Sequence, residues 1–208
     1  MKSTVLITGG LGYIGSHTVV EMMEAGHRVV VIDNLANSRI EVLDKIENIV
    51  GEKPSFVELD LCDLDALRHF FKSDDGKEVG SIIHFAAYKN VGESVSNPLK
   101  YYQNNIGALV NTLSLMAENE VPHIVYSSSC SVYGNPNSSP VTEQTPLKPA
   151  VSPYGNTKKI GEDIIREYVN GGNKQAIALR YFNPIGAHPS NEIGELPTEF
   201  MDNLIPAL

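Results

Sequence analysis

Val5-Leu6-Ile7-Thr8-Gly9-Gly10-Leu11-Gly12-Tyr13-Ile14-Gly15 is the stretch that decides the fold. A short apolar run closed by glycine reads as a buried strand. Ile14, Thr18, Val19, Met22 and Met23 then recur at helical spacing up to Ala25, and Gly26 supplies a helix stop. Gly10-x-Gly12-x-x-Gly15 satisfies the dinucleotide fingerprint, and Gly9-x-x-Gly12-x-x-Gly15 a close variant of it. Glycines there allow a tight turn and let backbone N–H groups reach a pyrophosphate at the helix N-terminus. The next strand, Arg28–Asp33, ends in a carboxylate 18 residues after Gly15. An acid at that place accepts the ribose hydroxyls of adenosine and repels a 2′-phosphate, which favours NAD over NADP. Arg39 is read as a surface residue.

Working outward, the spacing predicts a helix over 38–50 with Ile40, Leu43, Ile46, Ile49 and Val50 on one side. A strand follows at Phe56–Asp60, a helix at Leu64–Phe71, and a strand at Ser81–Phe85. A long helix is expected over Leu99–Asn119, a strand at His123–Ser127, a loop over 134–153, a helix from Ser152-Pro153 to about Tyr168, and a strand at Gln175–Arg180. Strands alternating with helices predict an α/β fold: a Rossmann-type doubly wound parallel sheet with helices on both faces. Residues 1–180 are assigned to this dinucleotide-binding domain and 181–208 to the start of a substrate-binding region. The last residues, Leu204-Ile205-Pro206-Ala207-Leu208, lie inside an apolar segment, so the chain is expected to be part of a longer one. In open α/β sheets ligands lie at the carboxyl ends of strands. Asp60, read as a strand terminus, and Phe85-Ala86-Ala87 are candidates on that ground.

Composition narrows the function classes. The 208 residues are 42% hydrophobic, and no apolar run reaches the ~18 residues that a spanning helix needs. The N-terminus turns to glycine too soon for a signal peptide. Sixteen Lys and Arg against 25 Asp and Glu give a net charge of −9, with no basic stripe for nucleic acid. Cys62 and Cys130 are the only cysteines, which suggests a reducing, cytoplasmic setting. The six histidines lack zinc-like spacing, and no metal site is expected.

Tyr154-Gly-Asn-Thr-Lys158 places a phenol and an ammonium four apart, on one helix face. A neighbouring cation favours the phenolate and lowers a pKa that is ordinarily about 10. Such a pair can take and return the proton of a hydroxyl near neutral pH.

Together these residues resemble the extended short-chain dehydrogenase/reductase family, and most of all its UDP-glucose 4-epimerase branch. The likeness rests on Thr8–His17, Asp33–Ser38, Lys89–Ser94, Tyr101–Asn105, Ser127-Ser-Ser129, Ser152–Gly155 and Arg180-Tyr-Phe-Asn-Pro-Ile-Gly-Ala-His-Pro189. It implies NAD-dependent interconversion of UDP-glucose and UDP-galactose by hydride transfer through a 4-keto sugar. By the resemblance, Gly9, Gly12, Tyr13 and Ile14, with Gly15 of the fingerprint, hold the pyrophosphate. Asp33, Asn34, Asn37 and Ser38 hold the adenosine ribose, and Asp60 and Leu61 flank adenine. Phe85, Ala86, Ala87, Lys89 and Asn104 line the path to the nicotinamide, which Phe182 borders. Tyr154 is the base, Lys158 binds the nicotinamide ribose and tunes Tyr154, and Ser129 bonds the sugar 4-hydroxyl. Asn183 and Asn203 contact the UDP part of the substrate. The family dimerises through paired helices, which points to 99–119 and 153–168 as a homodimer interface.

Several positions depart from the family pattern. Ala87 stands for a glycine, Tyr88 for an aliphatic residue, and Asn191 and Asp202-Asn203 for Ser-Gly and Asn-Asn runs. Ser129-Cys130-Ser131 lacks the Asp-Glu pair of a sugar dehydratase, and no Glu and Arg pair of a decarboxylase is found. Epimerisation of a UDP-N-acetylhexosamine or UDP-pentose stays open, as does a non-catalytic NAD-binding fragment. The family's C-terminal segment, which closes over the nucleotide, is scarcely present in these 208 residues.

Overall fold

The structure, a computed structural model, describes residues 4–137 and 139–196. Its strands are β1 (Thr4–Thr8), β2 (Val29–Asp33), β3 (Ser55–Glu58), β4 (Val79–His84), β5 (His123–Ser129) and β6 (Gln175–Tyr181). They form one parallel sheet in the order β3-β2-β1-β4-β5-β6. The order reverses direction at β1, so the crevice between β1 and β4 is the switch point where such sheets take ligands.

Strand parity sets the two faces. Leu6, Val30, Ile32, Ile82 and Ile124 pack against α3 (Leu64–Lys72), α7 (Gly107–Glu118) and Ile165 of α8 (Pro153–Asn170). Val5, Ile7, Val29 and Val31 pack against α1 (Tyr13–Glu24) and α2 (Val42–Val50). Among the described residues the second face is covered only over its first half. Ile177 and Leu179 on β6 are 60% and 39% exposed, and no helix among the described residues covers them.

Local chemistry fixes the helix ends. Gly12 begins α1 with extended backbone and no side-chain cap. Ser152 caps α8 by accepting from Gly155 N–H at 3.1 Å, with Pro153 in the first turn, as Ser152-Pro153 predicts. Short helices α4 (Asp74–Lys77) and α5 (Val91–Ser96) were not expected. Ser73 and Asn90 cap them through Gly76 N–H and Glu93 N–H.

Three expectations are corrected. The helix over 38–50 begins only at Val42, and Ile40 is 43% exposed rather than on the buried side. The cause lies upstream: Asp33 accepts from Leu35 N–H and from the Ser38 hydroxyl, which keeps the chain turning beneath it. Asp60 does not end a strand, because β3 stops at Glu58. Its carboxylate accepts from Cys62 N–H at 2.8 Å and closes a turn into α3. The long helix is interrupted. It runs as α6 (Pro98–Tyr101), a π-helical segment (Tyr102–Ile106) and α7. Such single-turn insertions gather at functional sites, and this one carries Asn104 and Asn105.

A glycine inside a helix ordinarily costs about 1 kcal/mol relative to alanine. At Gly161 of α8 the sign reverses, because an added Cβ would lie 2.3 Å from Tyr126 Oη. Gly161→Ala is expected to destabilise the chain by roughly 1–3 kcal/mol in chemical denaturation. Tyr126→Phe, which removes that oxygen, is expected to recover part of the loss.

Candidate active site

A crevice of about 600 Å³ runs over the carboxyl ends of β1, β2, β4 and β5. Every described residue of the sequence-derived site lines it: Gly9, Gly12, Tyr13, Ile14, Gly15, Asp33, Asn34, Asn37, Ser38, Asp60, Leu61, Phe85, Ala86, Ala87, Lys89, Asn104, Ser129, Tyr154, Lys158, Phe182 and Asn183. Asn203, like Asp202, lies outside the described residues.

The floor at one end is backbone. Gly9 takes φ +68°, and a Cβ there would meet Ala86 N at 2.7 Å. A Cβ at Gly15 would fall 2.2 Å from Gly9 O. Helix α1 therefore starts directly on the end of β1. Its first turn has neither an acidic residue nor a side-chain cap, so its positive end faces the crevice at Tyr13, Ile14 and Gly15. Asp33 is 8% exposed and braces this turn, since Leu11 N–H donates to its Oδ2 at 3.1 Å. Its Oδ1 holds Leu35 N–H and the Ser38 hydroxyl. A carboxylate has about four lone-pair sites, so room for a ribose hydroxyl remains. A glycine cradle, a helix N-terminus and an acid beyond it fit a dinucleotide in shape and in charge.

At the other end stand Ser129, Tyr154 and Lys158. Lys158 is 3% exposed and its ammonium donates to Ser127 O at 2.7 Å. Its Nζ lies 5.1 Å from the Tyr126 ring centre and 5.9 Å from that of Tyr154. Burial pushes this lysine down to about 8. Burial also pushes the Tyr154 phenol above its ordinary value, with the Ser129 side chain opposing and Cys130 adding to the rise. The lowering of Tyr154 expected from the neighbouring Lys158 is not what this chain shows, since burial raises it. Both groups are shielded from water, and that loss of water disfavours both ions.

Sequence reasoning missed the groups behind this pair. His84 is 1% exposed, with Nδ1 3.0 Å from Thr8 Oγ1 and its ring stacked on Tyr126. Burial, then the Lys158 charge, pushes it down to about 3, so it stays neutral. A lone polar residue inside the run Ile82-Ile83-His84-Phe85 was the signal available. Glu162, one turn beyond Lys158, forms a bidentate pair with Arg180 on β6 at 2.9 and 2.8 Å and accepts from the Ser128 hydroxyl at 2.5 Å. Asn105 accepts from Tyr88 N–H and donates to Tyr88 O and Thr157 Oγ1, which clamps the loop after β4 to α8.

A strap formed by residues 182–196 crosses the crevice. Tyr13 Oη–H donates to Gly186 O at 2.7 Å, Lys45 Nζ to Glu192 O at 3.1 Å, and Lys89 Nζ pairs with Glu195 at 3.0 Å. Ile193 is 4% exposed and joins the core beside α1 and α2. Among the described residues no cluster of His, Cys, Asp and Glu could hold a metal ion, and no helix is long and apolar enough to cross a membrane.

Comparison with known proteins gives the geometry a family context. Residues 5–208 match the family described as the NAD dependent epimerase/dehydratase family. The UDP-glucose 4-epimerase of Bacillus subtilis is 47% identical over 203 residues, covering 97% of this chain and 59% of that protein. A crystal structure of UDP-glucose-4-epimerase from Stenotrophomonas maltophila, with bound NAD and formylated UDP-arabinopyranose, has a TM-score of 0.92 at 41% identity. It covers 98% of this chain and 60% of that one. The Bifidobacterium longum enzyme in complex with NAD+ and UDP has a TM-score of 0.91 at 39% identity, covering 97% of this chain and 60% of that one. The chain thus spans about 60% of the length of these relatives.

Lys158 makes a stability prediction. Its pKa is about 8 folded and 10.5 in the ordinary state, so its burial penalty is present in full below pH 8 and relieved as pH rises from 8 towards 10.5. Lys158→Met is therefore expected to be more stable than the unaltered chain at pH 7, by about 1–3 kcal/mol. The advantage should shrink in denaturation curves taken from pH 8 to pH 10.

Proposed function

The chain belongs to the NAD dependent epimerase/dehydratase family, and from that premise we propose that the complete gene product interconverts UDP-glucose and UDP-galactose by inverting C4 of the sugar. The reading is carried by the convergence of Ser129, Tyr154 and Lys158 at the β5 end of a crevice whose other end is the glycine turn and Asp33. The absence of an acid pair in Ser129-Cys130-Ser131 speaks against sugar dehydration.

Gly9, Gly12, Tyr13, Ile14 and Gly15 would bind the NAD pyrophosphate through backbone N–H groups. Asp33, Asn34, Asn37 and Ser38 would bind the adenosine ribose, and Asp60 and Leu61 would flank adenine. Phe85, Ala86, Ala87, Lys89, Asn104 and Phe182 would line the nicotinamide side. When bound, NAD supplies a hydride acceptor for C4 and a hydride donor to either face of the resulting ketone. Tyr154 takes the 4-hydroxyl proton and returns it after the ketone has turned over. Ser129 hydrogen-bonds the reacting oxygen. Lys158 holds the nicotinamide ribose and adds positive charge that favours the Tyr154 phenolate, against the burial that disfavours it. Residues 181–208 would begin the sugar-nucleotide region, with Asn183 and Asn203 at the UDP. The exposed Leu99 and Val110 are consistent with a homodimer through the helices over 99–119 and 153–168. The two free thiols are consistent with a cytoplasmic setting.

Tyr154→Phe in the complete gene product is expected to reduce turnover of UDP-galactose by roughly 10²–10⁴-fold. Undiminished turnover, or none in the unaltered enzyme, would falsify the reading. Asp33 makes a second prediction: in calorimetric titration NADP should bind at least about ten-fold more weakly than NAD. Equal affinities would remove Asp33 from the ribose site.

A further inference from the structure

A serine hydroxyl has one proton and two lone pairs, so what it accepts decides where its proton can go. Ser129 Oγ accepts from Ser131 N–H at 3.2 Å and from the Ser131 hydroxyl at 2.9 Å. The backbone N–H can only donate, which fixes the first lone pair. The Ser131 hydroxyl fills the second. That leaves Ser129 its own O–H to donate elsewhere.

Ser131 is itself held in place. It lies in a 3₁₀ helix, Cys130–Tyr133, that Ser129 caps. Its other side packs on the first turn of α8, where Gly155 follows Tyr154. A Cβ at Gly155 would meet Ser131 Cβ at 3.2 Å and its Oγ at 3.3 Å. The absence of a side chain at that position brings Ser131 against the helix that carries Tyr154. Ser129, Ser131 and the base thus form one packed unit.

Resting on the epimerase reading, we infer that Ser131 is a positioning residue: it occupies both lone pairs of Ser129 and so commits the Ser129 proton to the crevice, toward Tyr154 and the reacting sugar oxygen. A hydroxyl fixed as a donor stabilises a phenolate or alkoxide, whereas a free rotor spends part of its time as an acceptor and opposes one. The side chain of Ser129 already acts on Tyr154 in that sense, against burial. The titratable groups around Tyr154 are Lys158 on its own helix, Tyr126 on β5, Cys130 in the 3₁₀ helix, and His84 on β4 behind Lys158.

The test compares Ser131→Ala and Ser131→Thr in the complete gene product with UDP-galactose as substrate. Each is followed by kcat and KM from pH 5.5 to 9 and by thermal melting. Ser131→Ala is expected to lower kcat about five- to ten-fold with little change in KM, since one charge-assisted hydrogen bond is weakened. The acid limb of its kcat profile should move to higher pH, and Ser131→Thr, which keeps the hydroxyl, should restore both. A Ser131→Ala enzyme with unchanged kcat and pH profile overturns the inference alone. So does a loss of kcat that the threonine variant fails to recover and that follows the loss of melting temperature, because that marks a packing role. No turnover in the unaltered enzyme overturns the epimerase reading and takes this inference with it.

Discussion

Helix α1 meets the end of β1 with no space for a side chain between them. The position of a Cβ on Gly15 is 2.2 Å from Gly9 O, and that of one on Gly9 is 2.7 Å from Ala86 N. These two approaches bring the positive end of a helix, the end of the central strand and the loop after β4 to one point. Asp33 secures the arrangement from the neighbouring strand by holding Leu11 N–H. Once β1 and α1 are locked in this way, right-handed crossovers place β2 and β3 on one side and β4 to β6 on the other. The crevice is the seam between those halves. Its location follows from backbone contact, and its chemistry is added by side chains at strand ends.

The opposite end of the crevice depends on charge held inside the protein. Lys158 and Glu162 are on adjacent turns of α8, 3% and 6% exposed. Glu162 is matched by Arg180 and Ser128, so its burial is compensated by hydrogen bonds from β5 and β6. Lys158 has one carbonyl, Ser127 O, and the faces of two tyrosine rings. The two residues divide the work on one helix. The paired carboxylate fixes the register of α8 on the sheet, and the under-compensated ammonium is left as a local positive potential beside Tyr154. That imbalance is unfavourable for folding.

Much of this was legible in the sequence, for definite reasons. The strands β1 and β2 are buried on both sides and read as continuous apolar runs, and a Gly-rich turn between strand and helix has few other uses. Ser152-Pro153 announces α8 because capping is local chemistry. The failures were non-local. Ile40 matched a helical stripe, yet Asp33 pulls residues 35 and 38 into a turn, and the helix starts later. No periodicity reveals a π-helical segment inside 98–118, because one extra residue in a turn alters the facing of Asn104 and Asn105 without altering the composition. The roles of Lys158 and Tyr154 were read from spacing, but their protonation is governed by water exclusion, which spacing does not report. Ser131 carried no signal at all. Its place is set by an atom absent from Gly155.

The strap over the crevice has a consequence for how the protein is made. Its anchors join Tyr13 to Gly186 and Lys45 to Glu192, contacts that span 173 and 147 residues. At about 5–20 residues per second of synthesis, the glycine turn leaves the ribosome many seconds before the segment that crosses it. The first βαβ unit is therefore made well before Ile193 can join the core beside α1 and α2. Closure over the crevice waits for residues 182–196, so the site is completed by chain made long after the turn on which it is built.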